Sequence, residues 1–410
     1  MTSPKRPEPA AAHPATQAPP SPRSRWGQPA RLALGTASAL GLARFAYGPI
    51  LPAMRIELGW NLAQAGGLTT ANALGYLLGA LIATPLARRL NVAATFRLGM
   101  TLTAVALAAT AATGNYPVLL LTRAAAGLSG ALVFITGGVI ASHIAARARS
   151  AAPLTVYYSG AGLGIAFSGA FIPPLLADHP GRWPLAWASL AAAAALATIL
   201  IWGAARGGEA AGTTATRTGL RATAHLWQPA AAYLLFAAGY IAYITFLSAY
   251  LAAHHASVTQ VILTWALLGL AAVAAPAIWS RPLRAWPGTR PLTTVLAVLS
   301  AAAAAALIPA PLLAVTASAI GYGATFLVVP AAITALIRSA TTPGQWTSTL
   351  ATFTVIFAAG QIAGPYLAGD LADHYGTGAT LIWAASLCAA GAALSTTRAP
   401  NTSEHRTRHA

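Results

Sequence analysis

Twelve stretches of this sequence run for roughly the length of a membrane-spanning helix with little or no charge, and nothing else limits the fold as severely. They lie near residues 30–51, 64–86, 93–113, 117–140, 153–176, 184–203, 229–251, 257–279, 291–308, 311–337, 346–369 and 378–396. In hydrocarbon a segment must satisfy its own backbone amides and carbonyls, which leaves helices and closed barrels. Ten-residue segments of alternating polarity, the mark of a barrel, do not occur. Charged residues make up only 8% of the chain, against roughly 25% in a soluble domain, so no solvated surface can be assembled from it. The sequence therefore specifies an all-α integral membrane protein.

The formal charge of +17 follows from topology. With the N-terminus inside, the cytoplasmic segments collect twenty cations, while the outer loops hold only Arg55 and Arg182. That asymmetry is the positive-inside pattern, and it would collapse if one helix were missing or invented. It predicts a multi-pass protein of the cytoplasmic (inner) membrane with both termini cytoplasmic. Trp60, Trp183, Trp202, Trp279 and Trp346 fall near helix ends, as an interfacial belt requires. Nucleic acid is excluded as a partner because the cations are scattered over many short loops and form no single basic face. The lone cysteine, Cys388, allows neither a disulfide framework nor a thiolate metal site.

Residues 1–28, rich in Pro, Ala and Ser, read as a disordered basic cytoplasmic tail. The chain then divides into a six-helix half over 29–203, a cytoplasmic linker over 204–228, a second six-helix half over 229–397, and a tail over 398–410. The halves carry an internal echo. Leu176-Ala-Asp-His-Pro-Gly181 and Leu371-Ala-Asp-His-Tyr-Gly376 stand 195 residues apart, each at the outer end of the fifth helix of its half. At the same offset Gly169 matches Gly364 and Arg89 matches Arg284. Such parallel halves imply two pseudo-symmetric six-helix repeats.

Several motifs then carry a family resemblance over about residues 30–396. Arg123-Ala-Ala-Ala-Gly127 resembles the fourth-helix Arg and small-residue motif of the major facilitator superfamily. Gly160, Gly169 and Pro173-Pro174 resemble its fifth-helix glycine and proline motif, with Pro173 where the pattern has Gly. Gly360-Gln361-Ile-Ala-Gly364-Pro365 is similar to the eleventh helix of many members, and Gly41-Leu-Ala-Arg44-Phe-Ala-Tyr47-Gly-Pro49 is similar to the YbfB/YjiJ-like branch. One departure stands out. The loop after the second helix has Arg88, followed by Arg89, where the family's gating motif has an acidic residue followed by Arg.

Only Arg44 and Arg123 place charge well inside spans, and helical rise sets them at one depth. A mid-membrane cation costs about 2.5–3.5 kcal/mol even on insertion scales, so such residues face a cavity or a partner. The resemblance implies that helices 1, 4, 7 and 10 line a central cavity, where both arginines would meet an anionic group. The alternatives are backbone carbonyls at a broken helix, or snorkelling by Arg44. Tyr47, Asn72, Tyr240, Tyr243, Tyr322 and Gln361 are weaker substrate-binding or coupling candidates, each equally readable as a helix–helix hydrogen bond. Gly127, Gly160, Gly169, Pro173, Gly364 and Pro365 are read as packing or conformational positions. Asp178, Asp370, Asp373, His179 and His374 lie at outer helix ends and read as solvated loop.

No catalytic, metal or cofactor site is expected, and the chain reads as a non-enzyme. The resemblance implies a secondary active transporter of a small molecule working by alternating access. The fifth-helix motif, shared by resemblance with drug–proton antiporters, points to efflux with protons as coupling ion. The two arginines point instead to an importer or exchanger of a small organic anion. A non-transporting receptor or scaffold is the remaining alternative, though the longest internal loop has only about 25 residues.

Overall fold

The structure is a computed structural model that describes residues 22–205, 226–308 and 311–396. Among these every regular element is helical. The second to eighth spans are Leu62–Leu90, Val92–Ala111, Tyr116–Arg147, Ala152–Leu176, Trp183–Ile201, Trp227–Ala253 and Val258–Ala285. The ninth is a short helix, Arg290–Ala305, and the eleventh and twelfth are Trp346–Tyr375 and Gly378–Thr396. The tenth is two helices, Pro311–Phe326 and Val329–Ala340, broken where Pro330 removes an amide near the start of the second piece. Among the described residues ten helices are long and apolar enough to cross a bilayer. With the broken first span and the short ninth, the count reaches twelve.

The first span is built from Pro22–Thr36, a π-helical turn over Ala37–Phe45, and Tyr47–Leu58. Its widened step is closed by the Ala46 amide donating to the Gly41 carbonyl at 2.9 Å. Pro49 has no amide to offer the Phe45 carbonyl, which removes one bond of a regular helix at this point. Such π turns often mark functional positions. This one carries Arg44.

Side chains on the outer surface are apolar. Leu121 and Ile199 are about 70% exposed, an arrangement suited to lipid and costly in water. Inside, small residues let helices approach closely. A Cβ on Gly127 would strike the Asn72 carbonyl of the second span, and one on Gly160 would strike the Ala33 carbonyl of the first. Contacts repeat with a six-span shift. The second packs on the fourth as the eighth packs on the tenth, and the third packs on the sixth as the ninth packs on the twelfth. Between halves the fifth lies on the eighth and the second on the eleventh, a pair related by the same shift. This is the two-fold arrangement anticipated from the sequence repeat.

Several boundaries differ from the sequence reading. The first helix starts at Pro22, within the segment expected as a disordered tail, and the second runs from Leu62 to Leu90 in place of 64–86. The rest of that tail, nearly all of the linker and the C-terminal tail lie outside the described residues. The two copies of the repeat also diverge. Asp178 sits in a bend beyond the fifth span, whereas Asp373 is in the last turn of the eleventh helix.

Candidate functional site

Arg123 projects from the fourth span into the N-terminal half and is 1% exposed. Its Cζ lies 4.8 Å from the Trp187 ring centroid and 5.6 Å from that of Tyr47. Arg44, 8% exposed on the π turn, has its Cζ 5.2 Å from the Tyr76 ring and 5.8 Å from that of Phe45. Phe45 in turn meets Phe326 of the tenth span edge-on at 5.8 Å, and Phe326 lies 6.1 Å from Tyr240 of the seventh. Rings from both halves thus approach the π turn that carries Arg44.

Among the described residues neither charge is neutralised by an acid. The four described acidic residues, Glu57, Asp178, Asp370 and Asp373, all lie at the end of the bundle opposite the described chain ends, hereafter the far face. Nε and Nη2 of Arg44 and Nε and Nη1 of Arg123 are buried with no hydrogen-bond partner among the described residues. Ring contacts return about 0.5–2 kcal/mol each, the same order as the cost of burying the charge. They leave the N–H donors unmet, and unmet buried donors call for an explanation. Backbone carbonyls at the broken helix, one of the alternatives raised by the sequence, do not supply partners for these four atoms.

The weaker candidates separate into two groups. Gln361 donates to the Tyr240 hydroxyl, joining the eleventh span to the seventh. Tyr47 donates to the Ala65 carbonyl at 2.8 Å while its ring supports Arg123. By contrast, Tyr243 pairs with Ser318 Oγ at 2.6 Å and stacks 3.7 Å from Tyr322, whose hydroxyl donates to the Tyr240 carbonyl at 3.2 Å. Both are buried inside the C-terminal half. Asn72 donates to the Arg123 carbonyl at 3.1 Å, a bond between the second and fourth helices.

The motif glycines and prolines lie at helix crossings. Gly160 meets the first span, Gly169 meets Trp265 of the eighth, and Gly364 meets Ala238 of the seventh. The Pro365 carbonyl lies against Gly66 of the second span, and Pro173 is buried in the fifth. At the far face the halves are joined by a carboxylate. Asp373 accepts from the Leu62 and Ala63 amides at 2.7 and 2.9 Å, the first two residues of the second helix. Thr70 donates to the Ile362 carbonyl at 2.7 Å, and Thr245 to Thr69 at 3.2 Å. Reading Asp373 as solvated loop is therefore corrected. Its carboxylate occupies a helix N-terminus, where free amides and the helix dipole favour negative charge.

Sequence reasoning did not single out Trp187 or the partly exposed rings of Phe134 and Phe357. Trp187 stands one turn after Trp183 in an apolar run and reads like any interfacial tryptophan. A separate cavity of about 470 Å³, lined by Tyr250, His254, Thr264, Leu307 and Val315, holds none of the candidate site residues.

Comparison with known proteins follows the same lines. The sequence matches the family described as "Uncharacterised MFS-type transporter YbfB" over residues 36–397. Curated proteins give no match. Among solved structures the fold is similar to that of a mutant form of the nucleoside transporter NupG, with a TM-score of 0.70 at 13% identity, covering 90% of this chain and 98% of that one. A bacterial homologue of the human lysosomal transporter Spinster gives 0.65 at 16%, covering 92% and 96%. The human organic anion transporter MFSD10 (TETRAN) gives 0.58 at 16%, covering 92% and 100%.

Proposed function

The chain belongs to the YbfB-type family of major facilitator transporters, and from that premise we propose that it exchanges small organic anions across the cytoplasmic membrane by alternating access. Membership makes it a multi-pass carrier of small molecules and not an enzyme. The observation that supports the anionic substrate is the pair of buried guanidiniums with unmet donors, Arg44 and Arg123. A carboxylate, sulfonate or phosphate supplies both the charge and the paired acceptors that these groups lack.

The same pair supports exchange over free passage. To change its exposed side, a carrier must pass through an occluded state in which the site is dry. With no anion bound, that state holds two unpaired cations, each costing about 2.5–3.5 kcal/mol or more. The ring contacts, at about 0.5–2 kcal/mol each, return part of that cost but leave the N–H donors unmet, so the empty carrier reorients more slowly than the loaded one. The excess of arginines on one side supports cytoplasmic termini.

Proton-coupled efflux is a second reading, favoured by the fifth-span Gly160 and Gly169 motif. A counterflow experiment separates the two. Proteoliposomes preloaded with a mixture of unlabelled carboxylates should take up a labelled carboxylate much faster than empty ones. Uptake indifferent to internal anion but driven by a pH gradient would reject exchange in favour of proton coupling. Right-side-out and inverted vesicles would then give the direction.

A further inference from the structure

Arg44 does not stand alone in the space between the halves. On its N-terminal side Tyr76 lies 6.5 Å from Phe134, and Phe134 lies 5.2 Å from Tyr158, centroid to centroid. On the other side Tyr240 is stacked between neighbours, 4.7 Å from Phe236, 5.9 Å from Phe357 and 6.1 Å from Phe326. The interplanar angles in that stack are 10–21°, so flat ring faces are presented in nearly parallel array. Tyr76, Phe134 and Phe357 are only partly buried and pack against one apolar cluster that holds residues of both halves, Phe45 and Ile165 as well as Phe236 and Tyr240. Arg44 bridges the two groups: its Cζ lies 5.2 Å from the Tyr76 ring and 5.8 Å from that of Phe45, which stands edge-on 5.8 Å from Phe326, the neighbour of Tyr240.

The hydrogen-bonding capacity around Arg44 is narrow. The Tyr240 hydroxyl is engaged by Gln361, while Phe134, Phe326 and Phe357 offer none. Besides the Tyr76 hydroxyl, the donors nearby are those of the guanidiniums, four of whose nitrogens are buried and unmet. On Arg44 the unpaired atoms are Nε and Nη2, the edge that a carboxylate grips with two parallel bonds. A polyol would lose its water here and find few partners. A planar hydrophobic body carrying one anionic group would fill both parts of the site, the ring against the aromatic faces and the carboxylate on Arg44.

We propose that the substrate of this carrier is an aromatic carboxylate, its ring stacked between Tyr76 and Phe134 on one half and Tyr240 and Phe357 on the other. The inference rests on the anion reading given above and adds the aromatic body to it. Because the rings come from both halves, a stacked substrate would touch both walls at once. Substrate binding would thereby be coupled to closure of the halves around it. Each ring-on-ring contact contributes about 0.5–1.5 kcal/mol beyond the area it buries, so two contacts correspond to roughly a tenfold preference over a saturated body of similar size.

Three probes of nearly equal size test this on the purified full-length protein in nanodiscs: 2-naphthoate, decahydro-2-naphthoate and 2-naphthylmethanol. Calorimetry should show 2-naphthoate binding about tenfold more tightly than its saturated counterpart, with the neutral alcohol weakest. Phe357→Leu keeps an apolar side chain at that position and should weaken 2-naphthoate severalfold more than decahydro-2-naphthoate. Arg44→Gln should weaken both carboxylates. Melting curves of both variants identify any loss that is a folding defect. For a misfolded variant, Tyr76→Leu replaces Phe357→Leu and Arg44→Lys replaces Arg44→Gln.

Equal affinity for the two carboxylates, with loss of both in Arg44→Gln, would overturn the aromatic inference and leave the anion reading intact. Equal affinity for 2-naphthoate and 2-naphthylmethanol would overturn the anion reading itself. Binding of none of the probes would overturn the inference too.

Discussion

Asp373 offers the most direct handle on how the two halves separate. Its carboxylate accepts from the Leu62 and Ala63 amides at 2.7 and 2.9 Å, tying the end of the eleventh helix to the start of the second. Asp373→Asn keeps the shape and one oxygen acceptor but removes the charge and replaces the second oxygen with a donor facing an amide. A hydrogen bond to a charged group contributes about 1.5–3 kcal/mol when shielded, and a charge at a helix N-terminus about 0.3–1 kcal/mol when exposed. Asp373 is an exposed residue, which puts the net loss near the bottom of these ranges, at about 1–1.4 kcal/mol after screening. That shifts the balance between closed and open far faces roughly 5- to 10-fold. Spin labels on cysteines introduced at the partly exposed Thr113 and the exposed Thr259, one in each half near the far face, would report it as a longer distance population. Asp373→Ala should open the face at least as far. An unchanged distance distribution in both variants would refute the reasoning, as would a far face that is already open in the wild type.

Three further outcomes are expected. Cysteines introduced at Thr213 in the linker and Thr377 beyond the eleventh span should label from opposite sides of sealed vesicles, and same-side labelling would contradict the twelve-span topology. Gly162→Val would place a side chain between the fifth and eighth spans, where even a Cβ would lie 2.6 Å from the Gly269 carbonyl. Overpacking of this kind costs about 1–3 kcal/mol, so a lower melting temperature and a slowed exchange rate should appear together. Tyr243→Phe removes the buried bond to Ser318 at a cost of about 0.5–1.5 kcal/mol. Because that tyrosine is packed against Tyr322 inside one half, melting should fall while transport per folded molecule stays level.

What was legible in the sequence followed from the bilayer. Length and charge patterning identify twelve helices because hydrocarbon forbids alternatives, and the 195-residue echo reveals the two halves. Arg44 and Arg123 were visible because a charge inside an apolar run must be explained. Their surroundings were not. Trp187, Phe134 and Phe357 are apolar residues in apolar runs, and nothing in one dimension separates a ring facing lipid from one beside a guanidinium. Local periodicity also does not reveal the π turn over Ala37–Phe45, although Pro49 four residues after Phe45 is a partial signal. Tyr243 and Tyr322 lie on helices that the family resemblance placed at the cavity, yet their hydroxyls are already bonded within one half. Asp373 and Asp178 occupy matching positions in the sequence repeat, but only the former is in a helix whose end reaches the opposite half. A repeat shows the two-fold arrangement but not which of two equivalent contacts is made in a given state.

The central claim, that buried arginine charge handles an anionic substrate, is tested most directly at Arg123. Carboxylate exchange per folded molecule should be measured in proteoliposomes for the wild type, Arg123→Ala and Arg123→Lys, beside their melting temperatures. The structure of the site predicts that Arg123→Ala melts close to wild type, since the guanidinium leaves donors unmet where it is, yet loses exchange almost completely. Arg123→Lys should recover little, because it restores the charge without the planar fork. An Arg123→Ala protein that melts normally and exchanges carboxylates at the wild-type rate would contradict the claim.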